Sequence, residues 1–275
     1  MKISHKMLLV MALPLSIVLA LGALLVLSEW RELQDRRRID HDVQMATRLA
    51  AVVHELQKER GYSAGFLASN GAKFVQQMSD QRADTDRVLA QSLAEFRDPK
   101  LRFDVPEANA LLDQALEAID GIVALRSSVD TKSISPGEAA GGYTAGIAPM
   151  LSSIAFAIRN VEDAGVANEL RAFALLQDLK EASGVERAML ASIGSAGEAK
   201  YAWFDRSHRL QTLQLAFAAG FESAASKEFA ETLAETLEAH ESKVGVFRDA
   251  VNAAGVGGAV SYDAGAWFQA STARI

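Results

Sequence analysis

Arg60 falls in the helical series Leu49, Val53, Leu56, Arg60, Ser63 and Leu67, where an apolar side chain is expected. An arginine pointing into a helical interior loses its hydration. Its N–H donors then need a carboxylate, backbone carbonyls, water or a ligand. Arg187 sits beside Ser183 and Leu190 with Gly184 one turn back, although Glu186 is as well centred on that stripe. These residues support two readings. In one, Glu59 and Glu186, or other acids, satisfy the arginines as permanent salt bridges across a helical bundle. In the other, the two guanidiniums converge on one small planar anion, whose oxygens match their fork bidentately where a lysine offers only a point charge. Lys58, Ser63 and Ser183 are candidate assistants to Arg60 and Arg187.

Other chemistry is poorly supported. Gly61-Tyr62-Ser63-Ala64-Gly65 matches the G-x-S-x-G pattern of a hydrolase elbow, but that motif needs a preceding strand and a sharp turn. Here it lies inside a helical pattern, and its small residues read as a close helix contact. His5, His41, His54, His208 and His240 form no H-x-x-x-H pair, so no metal site is expected. Gly255-Val256-Gly257-Gly258 lacks a third glycine at Val260 and reads as a helix connection, not a dinucleotide loop, so no cofactor is expected. The absence of cysteine removes disulfides and thiolate chemistry. A net charge of −7, with basic residues interleaved among acidic ones, leaves no footprint for nucleic acid. No enzyme is read from this inventory.

The elements that must position the arginines are helices, because Ala, Leu, Glu, Gln, Arg and Met fill long stretches and glycine and proline are scarce. The expected class is all-α. One long amphipathic helix runs from about 31 to 69 and stops at Ser69-Asn70-Gly71. A second spans about 73–96, and a third follows Pro106 with Leu111, Leu112, Ala115, Leu116, Ile119, Ile122 and Val123. Ser135-Pro136 caps a fourth, kinked at Pro149 and ending over 161–166. A fifth covers about 168–193, a sixth reaches Gly220, a seventh covers about 227–253, and a last begins near Ser261. Short connections favour antiparallel neighbours, hence one or two up-and-down bundles.

Met7 to Leu27 is an uncharged apolar run of a length that crosses a bilayer, preceded by Lys2 and Lys6 and followed by Trp30. It is read as an uncleaved transmembrane anchor, with 1–6 as a cytoplasmic tip and 28–275 outside the cell membrane. Arg31, Arg36, Arg37 and Arg38 outnumber the two lysines, but long domains translocate largely regardless of charge.

The stretch from His54 to Ser69, His-Glu-Leu-Gln-Lys-Glu-Arg-Gly-Tyr-Ser-Ala-Gly-Phe-Leu-Ala-Ser, followed by Phe74 and Gln81 to Asp86, resembles the nitrate- and nitrite-sensing (NIT) family. Lys180 to Ala188, Trp267-Phe268 and Thr272 look like that family's later landmarks, and the likeness runs from about 45 to 275. The resemblance implies two stacked four-helix bundles with nitrate or nitrite held between helices by Arg60 and Arg187. The family's domains are input modules of chemoreceptors, histidine kinases, cyclases and antiterminators; the apolar run at 7–27 argues against a soluble antiterminator, and a homodimeric membrane receptor such as a chemoreceptor is expected. A second membrane helix and a signalling domain would then follow Ile275. A structural or protein-docking bundle without a small ligand is the alternative.

Overall fold

The computed structural model describes residues 3–159, 161, 164–199 and 201–274, with side chains from Ser16 onward except at 201 and 202. The described residues form eight helices: α1 (Ile3–Ala68), α2 (Val75–Arg97), α3 (Pro106–Asp130), α4 (Pro136–Ala157), α5 (Ala164–Ala196), α6 (Tyr201–Ala224), α7 (Lys227–Ala254) and α8 (Ala264–Ala273). Extended pairing among them is limited to one isolated bridge, Glu198 with Ala259. The fold class is therefore all-α.

Local chemistry explains the ends that the sequence marks most clearly. Ser135 Oγ accepts from the Glu138 N–H at 3.2 Å while Glu138 Oε2 accepts from the Ser135 N–H at 2.7 Å. This reciprocal pair satisfies two donors left over at a helix start, with Pro136 preset for the first turn. α4 then continues through Pro149 to Ala157. Gly71 closes α1 in a left-handed conformation at φ 86°. α5 is longer than its expected 168–193 at both ends. In α3, Leu112, Ala115, Leu116, Ile119 and Ile122 face inward as expected, whereas Val123 is exposed, because it lies one residue beyond the buried stripe.

α1 packs against α2, α4 and α5, and α3 against α4. α5 packs against α6 and α8, which α7 also meets. One core joins Met45, Leu49, Val53 and Leu56 of α1 to Leu112 and Ile119 of α3 and Ile147 and Ile154 of α4. A second joins Leu190 and Ile193 of α5 to Val244 and Val251 of α7 and Trp267 and Phe268 of α8. The seam between the cores is α1 against α5.

The expected membrane span at 7–27 belongs to α1, but its side chains from 7 to 15, and the tip at 1–6, fall outside the described side chains. Among the described residues, no helix is long and apolar enough to cross a membrane. Ile17, Val18, Leu19, Leu21, Leu24, Leu25, Val26 and Leu27 are all exposed.

Candidate functional site

Arg60 projects from α1 onto α5, where Gly184 makes room for it: a Cβ on that glycine would lie 2.9 Å from Arg60 Nη2. The guanidinium is 0% exposed. Nη1 donates to Glu181 Oε1 at 2.6 Å and Nη2 to Glu181 Oε2 at 3.1 Å, a bidentate pair between α1 and α5. Nη1 also reaches Thr144 Oγ1 of α4 at 2.8 Å, and Gln57 Nε2 donates a further bond to Glu181 Oε2 at 2.9 Å. Arg60 Nε has no partner.

Arg187 is 1% exposed and differently placed. Among the described residues no carboxylate pairs with it. Its Nη1 donates to Thr272 Oγ1 of α8 at 3.0 Å, its guanidinium lies 4.9 Å from the Phe268 ring centre, and Nε is unpartnered. Trp267 Nε1 donates to the Arg187 backbone carbonyl at 2.9 Å, so α8 is pinned to the same turn of α5. Tyr62 of α1 stacks on Phe268 at 3.9 Å. A Cβ at Gly61 would lie 2.5 Å from the Phe268 ring, so the glycine lets α8 reach α1. Burial pushes the Arg187 pKa down to about 10, and the nearby Arg60 charge pushes it the same way. A ring face and a hydroxyl compensate a buried cation far less than a carboxylate does.

The acids adjacent to the arginines serve other partners. Glu59, fully buried, accepts from Arg126 Nε at 2.7 Å, Arg126 Nη2 at 2.8 Å and Tyr143 Oη at 2.7 Å. Glu186 accepts from Arg248 Nε at 2.9 Å and Nη2 at 2.7 Å, and from Gln211 and Gln214. Successive helical residues point about 100° apart. In each Glu-Arg pair the glutamate therefore turns into its own core while the arginine faces the seam. The salt-bridge reading fits Arg60, whose carboxylate is another acid, Glu181, and neither Glu59 nor Glu186; it does not fit Arg187, which has no carboxylate partner among the described residues.

The expected assistants are divided. Ser63 Oγ is buried and donates to Tyr143 Oη at 3.3 Å, which puts it in the Glu59 network instead of beside Arg187. Lys58 pairs with Glu55 at 2.6 Å. Ser183 Oγ is buried without a partner, one turn from Arg187. Lys180 shares its face; burial lowers its pKa, and Arg187 lowers it further. His54 is pushed down to about 4 by burial and by the charges of Lys180 and Lys58. Gly61 to Gly65 is helical, so Ser63 sits on no strand–turn elbow.

The nitrate and nitrite sensing family, NIT, matches residues 51–275. The chain belongs to the NIT family. A solved structure of the NasR transcription antiterminator superposes with a TM-score of 0.77 at 23% identity, covering 88% of this chain and 65% of that one. At this identity the likeness is one of fold. No curated protein matches.

Within this NIT chain, the matched region contains the whole seam: both arginines, Glu181, Thr144 and the α8 aromatics. A cavity of about 370 Å³ opens beside it, with Arg60 and Thr144 on one wall and Ala188, Ser192, Trp203 and Arg206 on others. The seam holds the Arg60 fork on a carboxylate and leaves an uncompensated positive charge on Arg187. This arrangement suits a small anion. Among the described residues no group of His, Cys, Asp and Glu gathers to hold a metal.

Proposed function

We propose that the chain senses nitrate or nitrite by binding the anion at the α1–α5–α8 seam, with Arg187 as the principal cation and Arg60 beside it. The observation that carries this reading is Arg187 itself: fully buried, lacking any carboxylate among the described residues, in a family that senses these anions. Burying an unpaired charge is expensive, and an arriving anion recovers that loss, so the occupied state is favoured over the empty one. The two cores support reading α1–α4 and α5–α8 as two up-and-down bundles stacked along the seam.

Calorimetry with nitrate and nitrite on the whole 275-residue chain, alongside Arg187→Met, tests the assignment. Binding heat in the wild type that vanishes in the variant is expected. Equal heats in both would move the site elsewhere.

We also propose that 7–27 anchors the chain in the bacterial cell membrane, with 28–275 on the outer side, as the input module of a homodimeric receptor of the chemoreceptor type. The uncharged run, and the exposure of every large apolar side chain from Ile17 to Leu27, support the anchor. The second reading, a structural bundle with permanent internal ion pairs, draws on the Arg60–Glu181 pair. It requires that no small anion raise the melting temperature.

A further inference from the structure

Arg60 already holds a planar, two-oxygen anion supplied by the protein. We infer that Glu181 is an internal competitor for the proposed ligand: its carboxylate occupies Arg60 in the empty protein, and a nitrate-like anion reaches Arg60 only by displacing it. The inference rests on the anion site proposed above and concerns how that site is kept closed and how occupancy is read out.

Glu181 meets Arg60 through both oxygens, at 2.6 and 3.1 Å. Nitrate and nitrite likewise present two oxygens on one planar centre to the same fork. The two partners differ in freedom. Arg60 is 0% exposed and cannot rehydrate where it lies, whereas the Glu181 side chain is 18% exposed and has a route to water. Glu181 is therefore the group that leaves. Its remaining anchor is a neutral donor, Gln57 Nε2 at 2.9 Å. Asp178, one turn earlier on α5, feels the Glu181 charge: burial first and that charge second raise the Asp178 pKa. This like-charge neighbour weakens the hold on Glu181. Water cannot take Glu181's place, because a fully buried guanidinium left to a neutral partner keeps most of its desolvation loss. Only another anion completes the exchange.

The exchange also has a mechanical consequence. Arg60 and Gln57 of α1 both tie to Glu181 of α5, and Arg60 ties to Thr144 of α4. Glu181 links the helices through its own attachment to α5, whereas a free anion on the same guanidinium links α1 to α5 only through Arg187. Occupancy is then felt as release of α1 from α5 at this level, while Arg187 and α8 take up the new charge.

Calorimetry of sodium nitrate on the whole chain as wild type, Glu181→Gln and Glu181→Asp distinguishes the cases. Gln keeps the shape and one acceptor for Arg60, and a cooperative thermal melt certifies each fold. Affinity at least tenfold higher in Glu181→Gln, with Glu181→Asp between it and wild type, is expected. Binding seen in Glu181→Gln alone supports the exchange equally. Unchanged or weaker affinity in Glu181→Gln, with wild-type binding that depends on Arg187, overturns the exchange and leaves the site standing. No nitrate binding in any of the three overturns both.

Discussion

Two arginines of similar burial differ in whether the protein has neutralised them, and the difference is measurable. Arg187→Met removes a buried charge that no carboxylate compensates, so the empty protein should gain about 1 kcal/mol or more in chemical denaturation. Arg60→Met removes one half of a bidentate pair and should lose stability, by about 1–3 kcal/mol. His54 supplies a pH signature. Its folded pKa, near 4, lies below its ordinary value, so the unfolded chain binds the extra proton first. Stability should fall as pH drops from about 6.5 to 4, by about 2 kcal/mol once solvent screening is allowed for, and His54→Gln should flatten that slope. At this scale the sequence displayed Arg60 openly, because it interrupts an apolar stripe. It hid Glu181, whose partner is 121 residues away, since no local period encodes a contact between two halves of a chain. Ser63 misleads for a related reason: it lies one turn from Arg60, but its hydroxyl answers to Tyr143.

Among elements, the helix starts and stops with strong side-chain chemistry, Ser135-Pro136 and Ser69-Asn70-Gly71, were legible. The ends of α5 were less so: the helix begins four residues before 168, and it passes through Gly194 to stop only at Gly197, which takes the left-handed conformation at φ 77°. The small residues around Ser63 announced a close helix contact, and the structure supplies its partner, the Phe268 ring of α8. Gly61→Val should force that ring away from Tyr62 and Arg187 at a cost of about 1–3 kcal/mol, and should weaken nitrate binding in the same titration. An unaltered melting temperature would mean that α8 yields without resistance. The inward glutamates are a separate matter. Glu59→Ala strands Arg126 and Tyr143 and should cost about 3 kcal/mol, while leaving nitrate affinity near wild type in whatever fraction stays folded. Adjacent residues of one Glu-Arg pair thereby separate stability from ligand response.

For the whole molecule, α1 is the shared component: 66 residues, roughly 100 Å, with its inner half in the first core and its outer half bearing the exposed apolar run. Purified chain mixed with phospholipid vesicles should float with them through a density gradient. Replacing Leu19, Leu21, Leu24 and Leu25 by serine should leave it at the bottom of the gradient. All-α architecture was legible from composition alone. How the helices pair was not, because amphipathic faces state only that each helix has an inside.

Because α1 is continuous from Leu27 to Arg60, about 50 Å of rod joins the seam to the apolar run with no loop to absorb a disturbance. A stiff shaft of that kind carries tilt and axial twist, and it cannot carry melting or refolding. A fraction of an ångström gained or lost beside Arg60 therefore reaches the far end as a larger displacement, and a spin label near Leu27 should report it as a change of orientation at constant helicity.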